Sequence, residues 1–179
     1  MRKNIIYSLL LVVAALFAGC DSRLDIEKHG NMGDQNDFYQ TDEQIEQAVA
    51  SMYSNLKGLY YNWFFTKNLL SDDVWCGGGQ RGDNTSLEQL NEYTYGTDNG
   101  MIQGVFSGLY GLIYQCNLVI EKVADDTPVK KRAIAEAKFF RAWANFELVT
   151  LWGTAPLVDH LLEPGEYRQG NSTPEALWA

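Results

Sequence analysis

Trp75, Arg81, Asp83 and Asn84 fall within a short glycine-rich stretch, SDDVWCGGGQRGDN. Together they supply a flat indole, a bidentate cationic fork and short polar acceptors. Recognition of a sugar ring uses that set: stacking on the apolar face and paired hydrogen bonds to neighbouring hydroxyls. Tyr93 and Tyr95 offer weaker versions of the same stacking face. The competing reading is an ordered loop packed on its own scaffold or on a partner. Arg81-Gly82-Asp83 spells an adhesion tripeptide, too short to carry weight. Asp72 and Asp73 look like an acid pair, but hydrolytic carboxylates face each other across a substrate at about 5–10 Å. Adjacent residues suit capping or loop hydrogen bonds better. Glu136 and Arg141 stand inside an apolar helical pattern, where a buried, structural charge pair is expected. Cys76 and Cys116 could pair or stay free: the first sits beside three glycines, the second in an apolar helical pattern. His29 and His160 stand far apart in sequence, and no Cys/His spacing suits a metal. No metal and no cofactor is expected.

Cys20 carries a different chemistry. Arg2 and Lys3 precede an apolar run from Ile5 to Ala18, 14 positions long, that ends Leu16-Phe17-Ala18-Gly19-Cys20. At 1.5 Å per residue the run spans about 21 Å, short of the roughly 20 residues a bilayer core needs. A basic head, a short apolar centre and small residues at the exit describe an export signal. A cysteine at the cut site resembles a bacterial lipobox, in which the thiol is the nucleophile that takes a diacylglyceryl group. Phe17 departs from the leucine usual at that place. The alternative is a plain export signal with an incidental cysteine. Acyl chains on Cys20 would tether the mature protein to membrane lipid, each buried CH₂ contributing about 0.8 kcal/mol.

Charge and aromatic content bound the partners. Losing Arg2 and Lys3 with the signal takes the formal charge from −9 to −11. An acidic domain repels nucleic acid, so nucleic-acid binding is excluded as a function class. Neutral and cationic ligands remain. Five Trp, ten Tyr and eight Phe exceed what a core of this size needs, and sugar-binding surfaces use such an excess.

The elements that would position these residues are helical. Residues 1–19 read as the signal, 20–40 as a polar tether and 41–179 as a helical domain. Thr41 with Gln44 forms a capping box, and Ile45, Ala48, Val49, Met52, Tyr53 and Leu56 make one apolar stripe ending near Gly58. From Leu59 to Gly100 the periodicity breaks, predicting a long irregular excursion of the kind that often carries function. A second helix is predicted from Met101 to Ala124, capped by Asp98 or Asn99. Its Gly104, Gly108 and Gly111 each cost about 1 kcal/mol against Ala, which implies a close helix neighbour on that side. Pro128 opens a third helix, Val129 to Trp152, stopped by Gly153. Antiparallel helix pairs of the α-solenoid type follow, all-α, with long loops. Ser172 to Ala179 opens a further helix that stops within its first turns, so the chain is expected to be a truncated, incomplete part of a longer architecture.

The stretch AIAEAKFFRAWANFELVTLWGTAPLV, Ala133 to Val158, resembles the signature helix of SusD/RagB-family lipoproteins through Glu136, Ala137, Phe139, Arg141, Ala142, Phe146, Leu148, Gly153, Pro156 and Leu157. FYQTDEQIEQAVASMYSNL resembles the family's first helix, SDDV follows it, and GLYGLIYQCNLVIEKV matches at Tyr110, Ile113, Asn117 and Ile120. STPEALWA resembles the entry to the next helix. Phe106 stands where a Trp is common, and the Trp152–Pro156 exit is a variant. The resemblance implies a TPR-like scaffold at the cell surface in the outer membrane, anchored through acylated Cys20. It would bind a glycan (an oligosaccharide) or sometimes a peptide. It would hand the ligand to a SusC-like TonB-dependent transporter, and it would be a binding protein, not an enzyme. Family members place part of their ligand contacts in the excursion that holds Trp75. The rival readings are a lipid-anchored protein–protein scaffold and, third, a glycosidase.

Overall fold

In the computed structural model the described residues are 38–179; the signal, Cys20 and most of the tether lie outside them. The helices are α1 (Asp42–Leu69), α2 (Thr85–Asn91), α3 (Gly100–Lys122), α4 (Pro128–Trp152) and α5 (Pro174–Trp178), with a one-turn 3₁₀ helix at Pro164–Glu166. No strand occurs among the described residues. The tether reading ends earlier than residue 40, because Phe38 and Tyr39 already pack against the core.

The starts of the helices follow their caps. The Thr41 hydroxyl accepts from Gln44 N while the Gln44 side chain accepts from Thr41 N, completing the capping box. Asn99, the second of the two expected residues, caps α3 by accepting from Met101 N and Ile102 N. Thr127 caps α4 directly ahead of Pro128, and Gly153 ends it at φ 73°, a backbone that suits glycine.

Side-chain pairs fix the directions. Along α3, Gly104 meets Asn62, Gly108 meets Leu59, Gly111 meets Asn55 and Gln115 donates to Ser51, so α3 runs antiparallel to α1. Thr127 donates to Asp42, Arg132 pairs with Glu46, and Trp63 and Lys67 donate to Glu147, so α4 runs parallel to α1. The result is an up–down–up layer of TPR-like helices. Ile45, Met52, Leu109, Leu112, Ile113 and Leu148 form its interior, each fully buried, and each contributes about 1.5–3 kcal/mol.

Two expectations need correction, and one open question is answered. α1 does not stop at Gly58 but continues to Leu69. A Cβ at Gly58 would meet nothing within 4 Å, so this glycine is merely tolerated on an open face. The aromatic stretch Tyr60–Phe65, YYNWFF, is therefore helical, with Tyr60 and Tyr61 more than half exposed, while Thr66 and Leu69 just beyond it are buried. The excursion shrinks to two loops flanking α2. Second, Glu136 and Arg141 are not a buried pair. Glu136 pairs with Arg132 at 3.3 Å, and Arg141 Nη1 donates to Asn117 Oδ1 (2.8 Å) and Asp159 O (2.5 Å). The buried carboxylate is Glu147, which is 2% exposed and takes the Trp63 indole N–H at 2.8 Å and Lys67 Nζ at 3.0 Å. Of the two readings left open for Cys76 and Cys116, the structure has the unpaired one: both are free. Cys116 lies in the main core with Sγ 3.7 Å from Met52 Sδ, and Cys76 lies against a smaller cluster of Leu69, Leu87 and Leu90.

After α4 the chain returns as a strap along α3 and α4. Tyr110 OH donates to Pro156 O (2.6 Å), Asn117 Nδ2 to His160 O (2.9 Å), and Glu121 accepts from Leu161 N (2.6 Å). α5 then docks on α4 through buried Leu177 and the Phe146–Trp178 ring contact. At the strap's turn the His160 ring lies between Asp159 (2.8 Å) and Glu166 (3.2 Å), bonds that raise its pKa above the ordinary value of about 6.5. Bonds to Glu163 N and His160 lower the pKa of Glu166, and the bond to His160 lowers that of Asp159. The histidine's contribution is full below its unfolded pKa and lost as pH rises through the raised folded value. The carboxylates' contribution is present above their unfolded values and lost as pH falls through the lowered ones. Thermal melts should therefore show a small, salt-sensitive loss of stability between pH 6 and pH 8. His160→Gln should remove that slope and also shrink the acid-side loss, because the same ring lowers the pKa values of Asp159 and Glu166.

Candidate binding site

The loop after α1 is held by polar side chains of its own, of α2 and of the residues just after α2. Asp83 Oδ2 accepts from Gly79 N (2.7 Å) and Gln80 N (3.0 Å), folding the glycine run over one carboxylate. A Cβ at Gly78 would stand 3.2 Å from that oxygen, so the turn has little room for a side chain there. Asn84 caps α2 by accepting from Leu87 N. Glu88 accepts from Gly82 N (2.7 Å), where φ is 93°. Asn91 holds the other side: its Oδ1 accepts from Cys76 N (2.9 Å) and its Nδ2 donates to Val74 O (3.2 Å). Tyr93, at φ 55°, donates its hydroxyl to Leu70 O (3.0 Å).

The expected residues therefore divide. Trp75 and Arg81 come together at a cleft of about 280 Å³, joined by Glu88, Asn91 and Glu92. Trp75 is 79% exposed. Arg81 spans the cleft to Glu92 with two bonds of 2.6 and 2.8 Å. These bonds hold the guanidinium charged and lower the Glu92 pKa. Asp83 and Asn84 do not line the cleft; they shape and cap the chain beside it. Tyr93 ties the loop to the end of α1, and Tyr95 lines a different pocket altogether. Asp72 and Asp73 are exposed on the turn after α1, where Asp73 N donates to the Ser71 hydroxyl.

Burial, followed by the charges of Glu88 and Glu92, raises the Cys76 thiol's pKa, so it is no ready nucleophile at neutral pH. One cation and two carboxylates leave the cleft net negative, and the Arg81 fork is already engaged. Such a cleft suits neutral or cationic ligands and disfavours anionic ones. Among the described residues no three metal-ligating side chains gather, and no helix is long and apolar enough to cross a membrane.

Glu88, Asn91 and Glu92 were missed because α2 was read as irregular chain. The signal was present: Asn84 ahead of Thr85-Ser86-Leu87-Glu88 is an N-cap, and Leu87 and Leu90 are spaced for one buried face.

The architecture is an up–down–up helical layer carrying a hydrogen-bonded loop with an exposed indole at a cleft. The chain belongs to the SusD-like family, described as starch-binding and associating with the outer membrane, which matches residues 24–173. A SusD-like protein of Bacteroides ovatus is 32% identical over 166 residues, covering 85% of this chain and 29% of its own length. SusD-like protein P38 of Formosa agariphila is 27% identical over 87% of this chain and 30% of its own. Among solved structures, a laminarin-binding SusD-like protein superposes with TM-score 0.68 at 26% identity, covering 78% of this chain and 32% of that one. A SusD superfamily protein of Bacteroides vulgatus shares the fold at TM-score 0.66 and 22% identity, covering 79% of this chain and 32% of that one. The chain thus spans about a third of the length of the relatives it matches.

The two Asn91 bonds are what position the Trp75 stretch. Asn91→Ala should quicken amide hydrogen exchange through residues 74–80 by about 5- to 150-fold, corresponding to two bonds of about 0.5–1.5 kcal/mol each. Exchange in α3 and α4 should stay as it is.

Proposed function

We propose that this chain is part of a surface glycan-binding lipoprotein that captures oligosaccharide and passes it to a SusC-like TonB-dependent transporter. Trp75 carries the reading. A four-fifths exposed indole at the rim of a cleft, on a loop held by hydrogen bonds, leaves apolar surface in water that a pyranose face can cover. The laminarin-binding structural relative supports a neutral glycan, as does the net negative cleft. Acylated Cys20 anchors the protein in the outer membrane, facing the exterior, and the transporter is its protein partner. It works by binding and not by catalysis. Asp72 and Asp73 do not face each other across a cleft, and Glu88 and Glu92 are held by Gly82 N and Arg81.

A protein–protein scaffold is the second reading, favoured by the exposed rings of Tyr60, Tyr61 and Phe64 along α1. An array of neutral glycans presented to the full-length protein separates the two. On the leading reading the array gives a ligand, and Trp75→Ala weakens it by about five- to thirty-fold, the equivalent of 1–2 kcal/mol. Helical content and melting temperature should not move. A large drop in melting temperature would make Trp75 a packing residue. No glycan binding at all would leave the scaffold. In the same preparation, Cys20→Ala should lose its acyl chains by mass spectrometry and leave the membrane fraction.

A further inference from the structure

Tyr95 opens a second site. It lines a pocket of about 340 Å³ together with Trp152, Leu70, Ile102 and Thr66, at the end of the layer where α1 and α4 finish and α3 begins. The pocket continues into a shallower groove of about 650 Å³, with which it shares Thr97, Ile102 and Trp152 and which adds Phe106, Gln103 and Ser107. Phe106 and Trp152 stand edge to face, centroids 5.2 Å apart, so the indole is braced by a neighbouring ring.

No Asp, Glu, Lys, Arg or His lines either part. The polar side chains there are neutral hydroxyls and an amide: Thr66, Thr97, Gln103 and Ser107. Thr66 is 2% exposed, and its hydroxyl has no hydrogen-bond partner. A charged ligand would lose its hydration and meet no counter-charge. A purely apolar occupant would leave the Thr66 hydroxyl still without a partner, beside the exchangeable hydrogen bonds of Gln103 and Ser107 to backbone carbonyls. A ring with one apolar face and a fringe of hydroxyls meets both the aromatic and the polar groups.

We propose that this groove is a second sugar site, for a neutral pyranose ring, set apart from the Trp75 cleft. The inference rests on the glycan reading above and deepens it, because it commits the ligand to a neutral sugar. The small cluster of Leu69, Leu87 and Leu90 separates the two sites: Cys76 packs on it and lines the cleft, while Leu70 and Ile102 pack on it and line the groove.

The test uses the full-length protein labelled with 5-fluorotryptophan, with laminarihexaose, maltohexaose and xylohexaose as probes in fluorine NMR. Trp75→Phe and Trp152→Phe assign the two resonances. Both should shift on titration with a binding sugar, and the Trp152 shift should persist in Trp75→Ala. Tyr95→Ala should move the Trp152 midpoint by about five- to thirty-fold and leave the Trp75 midpoint in place. A shift at Trp75 with none at Trp152 overturns the groove and leaves the glycan reading standing. So does a Trp152 shift that vanishes in Trp75→Ala or ignores Tyr95→Ala. No shift at either tryptophan with any probe overturns both.

Discussion

The close approach of α1 and α3 governs this fold. A Cβ at Gly104 would lie 2.1 Å from Asn62 Nδ2, and one at Gly108 would lie 2.8 Å from Leu59 Cδ1. Each glycine weakens its helix by about 1 kcal/mol. Burial of Leu109, Leu112 and Ile113 beside them, at about 1.5–3 kcal/mol apiece, outweighs that cost. The contact also sets register. With Gly104 opposite Asn62, the last two turns of α1 run alongside the start of α3, and the loop that follows must fold back over that end.

Glu147 fixes the third helix in the same frame. A carboxylate only 2% exposed needs partners, and both come from α1. Trp63 and Lys67 lie one turn apart on α1, so α4 has one position along it that satisfies the charge. The aromatic run thus serves two masters. Trp63 works inward as a donor, while Tyr60 and Tyr61 remain outside.

That division explains what could be read from the chain and what could not. Thr41, Asn99, Pro128 and Gly153 act at the nearest few peptide groups, so their roles were legible. The glycine stripe was legible because spacings of three and four have one meaning on a helix. The end of α1 was not, since a helix with rings on both faces shows no periodicity, and Gly58 lies just where a stop would be expected. Trp75 and Arg81 announced a site by type. Their companions Glu88, Asn91 and Glu92 depend on how a seven-residue helix docks, and nothing local specifies that. Asp83 and Asn84 have the chemistry of ligand contacts but spend it on the loop itself, a choice that only geometry reveals. Glu147 was hidden for a similar reason: its partners lie 80 and 84 residues away.

The strap after α4 is gripped by its main chain. Tyr110, Asn117 and Arg141 take the carbonyls of Pro156, His160 and Asp159, and Glu121 takes the N–H of Leu161. A grip on peptide groups does not depend on the side chains the strap carries at those places. Asp159 and Leu161 can therefore drift in identity while the ribbon keeps its course. The clamps on α3 and α4 have no such freedom. In a lineage of such proteins, variation should gather on the held segment and constancy on the helices that hold it, so the least regular stretch becomes a place where new surface chemistry can be tried without loosening the fold.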